Sequence, residues 1–201
     1  MAKKFLRSLI GASLLAAATL AQAEEPRVVA ITQIVEHPAL DAAHQGVKDE
    51  LAERGYREGE NLQLMHESAQ GNSAIASQIA RKFVGESPDV IVAIATPSAQ
   101  TVAAAARNIP VVFSAVTDPV SAKLVQSWEK PGANITGVSD MLPIDKHLDM
   151  IQRALPDVQT IGTVYNPGEA NAAALVELLE EKLTERGLQL EKGAATKTSE
   201  V

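Results

Sequence analysis

The order in which apolar runs alternate with helical periods constrains this chain more than any other feature. Short stretches dense in Val, Ile and Ala, "RVVAITQIV" from Arg27, "DVIVAIA" from Asp89 and "IPVVFSAV" from Ile109, are continuously apolar rather than alternating. A strand with one wet face alternates, and a strand buried on both faces does not. Between the runs lie segments of helical period. "PALDAAHQGVKDELAERG" puts Leu40, Ala43, Val47 and Leu51 on one face and stops at Gly55, a residue suited to ending a helix. "NLQLMHE" reads as a further strand, "NSAIASQIARKFVG" as a helix opened by Asn72 or Ser73, "PSAQTVAAAARN" as a helix, and "NITGVS" as a strand beyond a Pro/Gly-rich connection. This order predicts an α/β chain: a doubly wound parallel sheet with helices on both faces.

The chain also echoes itself. "LAERGYREGENLQL" at Leu51 to Leu64 is answered by "LTERGLQL" at Leu183 to Leu190, and each follows a strand, a proline-containing turn and a helix. The segment "TIGTVYNPGEANAAALVELLEEKLTERGLQLEKG" therefore reads as the first β-α-β unit of a second, similar lobe. The expected division is residues 24–141 for the first lobe and 142–201 for a crossover and part of the second. A complete second lobe takes roughly 100 more residues, so the sequence reads as a fragment or a truncated product. A lone β-α-β unit buries too little apolar area to offset its conformational entropy, and residues 144–201 are expected to be mobile.

The N-terminus carries Lys3, Lys4 and Arg7, an apolar run from about Leu9 to Ala21, and then Ala21-Gln22-Ala23. A charged start, a short apolar core and an A-x-A site describe a secretory signal peptide, residues 1–23, cleaved after Ala23. The run falls short of the roughly 20 residues that a membrane span needs. A formal charge of −7, six aromatic residues and no Lys/Arg cluster beyond the leader argue against a nucleic-acid partner. The absence of cysteine excludes thiolate metal sites and cysteine nucleophiles.

Ligands of open parallel sheets sit outside the carboxyl ends of the strands, near the topological switch point. The segments that follow the strands are "EHPALD", "TPSAQ", "AVTDPV", "GVSDMLP" and "YNPGEAN". Each supplies polar side chains, which serve equally as helix caps and turns. Thr96 and Ser98 in "TPSAQ" fall where a helix begins and free N–H groups point outward. Enzymatic readings find little support. Ser98 and Ser139 lack the G-x-S-x-G elbow, neither G-x-G-x-x-G nor a phosphate-loop motif occurs, and the four histidines show no zinc spacing. No cofactor is expected.

"ITQIVEHPALDAAHQGVKDELAERGYREGENL", "ESAQGN", "IVAIATPSAQ", "VVFSAVTDPVSAKLV", "KPGANITGVSD" and "IGTVYNPGEANAA" together resemble the ABC-transporter substrate-binding proteins of the group with tryptophan- and tyrosine-binding members. The resemblance implies a type I periplasmic-binding fold, two α/β lobes closing over a small ligand. It implies a non-enzymatic, exported, periplasmic protein whose partners are a small polar ligand, such as an amino acid, and the membrane subunits of an importer. Thr96 and Ser98 would then hold a carboxylate. Thr117, Asp118, Ser139 and Asp140 would line the same cleft, with Asp118 or Asp140 available to an ammonium group. His37 would stand near the mouth, and Tyr165, Asn166, Glu169 and Asn171 would approach from the second lobe. The same fold would also suit the ligand-sensing domain of a receptor or regulator, and a secreted α/β enzyme is the remaining alternative.

Overall fold

The computed structural model describes residues 25–132 and 134–200, and the expected leader lies outside the described residues. Strands β1 (Arg27–Gln33), β2 (Leu62–Ser68), β3 (Val90–Ile94), β4 (Val111–Val116) and β5 (Ile135–Ser139) form one sheet in the order β2-β1-β3-β4-β5. Every pairing within it is parallel. Helices α1 (Pro38–Glu53), α2 (Ser73–Glu86) and α3 (Thr96–Ala105) connect the first four strands.

The two faces follow from side-chain alternation along buried strands. Val29 and Ile31 pack with Leu62, Val92 and Ile94 beneath Leu40, Ala43, Val47 and Leu51 of α1. Ala30, Ile91, Ala93, Val111, Phe113 and Ile135 face the other way, against Ile79 and Phe83 of α2 and Val102 of α3. The expected apolar stripe of α1 is therefore its packing face. No residue of α1 is fully buried, because one helix alone covers that side. An apolar groove of about 480 Å³, bordered by Val47, Leu51, Val92, Val112 and Val138, runs beside it.

The chain then enters α4 (Ile144–Ala154), β6 (Thr160–Tyr165), α5 (Ala170–Glu185) and β7 (Gln189–Ala194), with β6 and β7 paired in a parallel two-stranded sheet. Leu148, Val176 and Leu183 are buried within this unit. Arg186 ties α4 to the end of α5, donating to Asp149 Oδ1 at 2.6 Å and Asp145 Oδ1 at 3.0 Å.

The sequence echo is a repeat in three dimensions. Helix α1 ends with Gly55 N–H donating to the Ala52 carbonyl (3.0 Å) and Tyr56 N–H to that of Leu51 (2.8 Å). Helix α5 ends in the same way, with Gly187 N–H to Thr184 (3.1 Å) and Leu188 N–H to Leu183 (2.9 Å). These are paired Schellman bonds. They require the left-handed φ of 89° at Gly55 and 70° at Gly187. Several boundaries differ from expectation, two of them beside the crevice. Strand β1 ends at Gln33 rather than Val35, and α3 begins at Thr96, one residue early. Pro97 is tolerated in that first turn because its missing N–H would find no helical acceptor there.

Candidate ligand site

From β1 the chain runs to β2 on one side, and β3 lies on the other. The carboxyl ends of β1 and β3 thus flank the topological switch point, where a crevice opens in sheets of this order. Three features converge there.

The first is the start of α3. Its N-cap, Ala95, adopts φ 74° and ψ 154° and offers no capping side chain. A residue with a Cβ pays about 1–3 kcal/mol for such backbone. Two bonds hold it: Ala95 N–H to the Ser114 carbonyl, and Ala99 N–H to the Ala95 carbonyl, at 2.9 and 3.0 Å. The helical ladder begins only at Ala99, so the N–H groups of Thr96 and Ser98 precede it and Pro97 has none.

The second feature is a set of buried hydroxyls. Thr96 and Ser98 are 2% and 0% exposed, yet Thr96 Oγ1 and Ser98 Oγ have no hydrogen-bond partner. Thr32, near the end of β1 and 1% exposed, is in the same condition. Its strand neighbours are Glu67 and Ala93, and Ala93 belongs to the face covered by α2 and α3. An unpaired buried hydroxyl costs about 1–3 kcal/mol, and Thr32, Thr96 and Ser98 each carry one near the carboxyl ends of β1 and β3.

The third comes from the second unit. Ala170, the first residue of α5, packs against the core beneath α2 and α3, and α5 contacts α3. The next residue, Asn171, has a buried Oδ1 without a partner, and the α5 N-cap Glu169 makes no capping bond. Both α3 and α5 thus begin without a side-chain cap, and the two helices are in contact. The start of α3, with its unused N–H groups, presents the positive end of a helix dipole and suits an anion.

The other expected residues occupy positions around this centre. His37 caps α1, its Nδ1 accepting from Ala39 N–H at 3.2 Å, and is exposed. Thr117 donates from Oγ1 to Asp140 Oδ1 (3.3 Å) and its carbonyl accepts from Ser139 Oγ (2.7 Å). These bonds join the ends of β4 and β5. Asp118 turns inward on its own backbone, accepting from Val120 N–H (2.9 Å), Ser121 N–H (3.1 Å) and Ser121 Oγ (2.6 Å). Asn166 donates to Glu169 Oε1 at 3.0 Å and accepts from Gly168 N–H at 3.0 Å. With Tyr165, Thr196 and Lys197 they border a cavity of about 330 Å³ at the carboxyl ends of β6 and β7.

Two residues at the end of β1 escaped the sequence reading. Besides Thr32, Gln33 is buried and donates from Nε2 to Asp41 Oδ1 (2.8 Å) and the Val35 carbonyl (3.2 Å). Its Oε1 lies 3.3 Å from His66 Nε2, and the His66 ring stacks on His44 with centroids 4.0 Å apart. Burial holds both imidazoles below their ordinary pKa, and for His44 the facing His66 adds to the effect. A Thr-Gln pair closing an otherwise apolar strand was the available signal. Among the described residues, no three acidic or histidine side chains are grouped to hold a metal ion, and no helix is long and apolar enough to cross a membrane.

Comparison with known proteins identifies the family. Residues 28–201 match the family model described as ABC transporter substrate binding protein. The chain is 42% identical over 174 residues to a tyrosine-binding protein of Clostridioides difficile (strain R20291), covering 86% of this chain and 50% of that one. Among solved structures, a conserved domain protein from Vibrio cholerae shares 54% identity with a TM-score of 0.84, over 87% of this chain and 59% of its own. The ABC domain from Streptococcus pneumoniae in complex with L-Trp shares 34% identity with a TM-score of 0.84, over 88% and 60%. The chain thus spans about half to three-fifths of the length of these relatives. Its architecture is that of the type I periplasmic-binding fold, present in part. The chain belongs to the family of ABC transporter substrate-binding proteins.

Proposed function

We propose that this protein captures a small polar ligand, an amino acid, for an ABC importer, without catalysis, by enclosing it between the sheet-end crevice of the first lobe and the start of α5. The observation that carries the reading is the cluster of unpaired buried hydroxyls, Thr32, Thr96 and Ser98, at the uncapped start of α3. A carboxylate accepts hydrogen bonds from hydroxyls and free N–H groups alike, and an oriented helix start favours its charge. Relatives named for tyrosine binding and solved with L-Trp support an aromatic amino acid as the ligand.

Within this reading residues 24–141 form the first lobe and residues 142–201 the crossover and part of the second. Thr96, Ser98 and Asn171 touch the ligand. His37, Asn166 and Glu169 border the mouth, and the Thr117, Asp118, Ser139 and Asp140 network fixes the strand ends that shape it. The leader directs the protein to the periplasm, with cleavage after Ala23, where it meets the importer's membrane subunits. Calorimetric titration with L-tryptophan, L-tyrosine and L-tryptophanamide tests the proposal. Binding of an acid, lost with the amide, supports it. Equal binding of acid and amide, or no binding of either acid, rejects it.

A further inference from the structure

The stacked imidazoles on the α1 side of the sheet lie apart from the ligand site. His44 of α1 and His66 of β2 have ring centroids 4.0 Å apart and planes 14° from parallel. Gln33, 1% exposed at the end of β1, joins them to the strand. Its Nε2 donates to two groups that can only accept, Asp41 Oδ1 at 2.8 Å and the Val35 carbonyl at 3.2 Å, and this fixes which way the amide points. Oε1 therefore faces His66 Nε2 at 3.3 Å and is satisfied only by a hydrogen on that nitrogen. The neutral His66 ring then leaves Nδ1 to take up a second proton. Neither ring is fully buried, so both exchange protons with solvent.

Two imidazolium rings stacked at this distance repel one another. The charged groups that face the pair are Asp41 and Lys48 of α1, Glu36 of the turn between β1 and α1, and Glu67 of β2. The carboxylates are already engaged. Asp41 accepts from Gln33, Glu36 accepts from Gln70 Nε2 at 2.9 Å, and Glu67 pairs with Lys82. They can offset one positive ring, but Lys48 adds to the charge that a second must meet. A second proton therefore parts the rings, and Gln33 loses its hold on β2. Gln33 follows Thr32 and stands in register with Ile94 of β3, two residues before Thr96. We propose that His44, His66 and Gln33 form a proton-sensitive clasp: charging both rings loosens the end of β1 and lowers ligand affinity, so that capture is favoured at neutral pH and release in acid. This rests on the amino-acid reading above and makes Gln33 a positioning residue.

Calorimetric titrations with L-tryptophan at about pH 7.5 and about pH 5, on either side of the ordinary imidazole value of 6.5, decide the matter for the wild type, His44→Phe and the double variant His44→Gln, His66→Gln. Circular dichroism at both pH values accompanies them. Free tryptophan changes the charge of neither of its groups across this window. The wild-type Kd is expected to rise about tenfold or more in acid, within the usual range for coupled sites, while the folded signal persists. His44→Phe keeps a ring against His66 but cannot carry the second charge, and it and the double variant are expected to hold Kd nearly constant. Reciprocity requires the wild type to release protons on binding near pH 6, read from heats in two buffers of different ionisation enthalpy, and the double variant to release none. The same rise in Kd in the wild type and the variants, or loss of the wild-type folded signal at the lower pH, would overturn the clasp. If one variant does not fold, the other settles the question by the same criteria. A wild type that binds no L-tryptophan at either pH overturns the functional reading, and the clasp falls with it. A wild type that binds L-tryptophan equally well at both overturns the clasp alone.

Discussion

Replacing Thr96 by Val and Ser98 by Ala together should move affinity and stability in opposite directions. Both hydroxyls are buried and unpartnered, and neither caps α3, so their removal breaks no bond within the protein. In the proposed complex each would donate to a charged group, at about 1.5–3 kcal/mol per bond. Losing two costs at least about 3 kcal/mol, roughly a hundredfold in Kd or more, while the two backbone N–H groups keep a residual site. In the ligand-free protein the same change removes two orphan groups whose burial costs about 1–3 kcal/mol each, less whatever solvation an open crevice affords them. One kcal/mol corresponds to about 2–4 °C in a chain of this size, so Tm should hold or rise by several degrees. Calorimetric titration with L-tryptophan and a thermal melt of the free protein measure the two quantities. A lower Tm with unchanged affinity would show that the hydroxyls serve the fold, and the assignment of the α3 start would be wrong.

Gly137→Ala should destabilise by about 3 kcal/mol or more, since a Cβ there would overlap the Phe113 carbonyl oxygen and lie 2.5 Å from its ring; chemical denaturation checks this, and a loss below 1 kcal/mol, by the same overpacking scale, would refute the close approach. Phe83→Ala empties a fully buried site beneath the sheet and should cost about 3–5 kcal/mol with no direct effect on the crevice, read from urea midpoints. For the stacked His44 and His66, burial favours the neutral folded form, so the unfolded chain takes up protons first as the pH falls. Their contribution to stability is therefore whole above the ordinary imidazole value of 6.5 and is lost as the pH drops through and below it. The double variant His44→Gln, His66→Gln should flatten that part of the stability profile, and an unchanged slope would count against the pair.

The legible parts of this molecule are those where one residue's chemistry decides its place. Ala30 and Ile91 belong to strands buried on both faces, and their unbroken apolar runs say so; Val111 lies in β4, whose run is as apolar yet leaves Val112 exposed on the face beside α1. Gly55 and Gly187 mark helix ends because the Schellman turn requires left-handed backbone. Thr96 and Ser98 are visible as hydroxyls at a helix start. Thr32 is not, because threonine is at home in any strand, and only the sheet order puts it at the switch point. Asp118 reads equally well as a ligand for an ammonium group or as a turn cap, and the difference lies in where the Val120 and Ser121 N–H groups point. Asn171 depends on the docking of Ala170 across the two units, which local sequence does not encode. The expected mobility of residues 144–201 is met by internal ties, Leu148, Val176 and Leu183 in the interior and Arg186 bridging to α4; hydrogen exchange slower than in the connecting loops would show that these ties suffice.

The central claim is one of place: the ligand sits at the carboxyl ends of β1 and β3, between the starts of α3 and α5. Titrating ¹⁵N-labelled protein with L-tryptophan and following the backbone amides tests it directly, even where affinity is low. The largest shifts should fall on Thr32, Gln33, Thr96, Ser98, Ala99 and Asn171, and saturate together. Shifts centred instead on the apolar groove beside α1, at Val47, Leu51, Val112 and Val138, or an unchanged spectrum at millimolar ligand, would contradict the account.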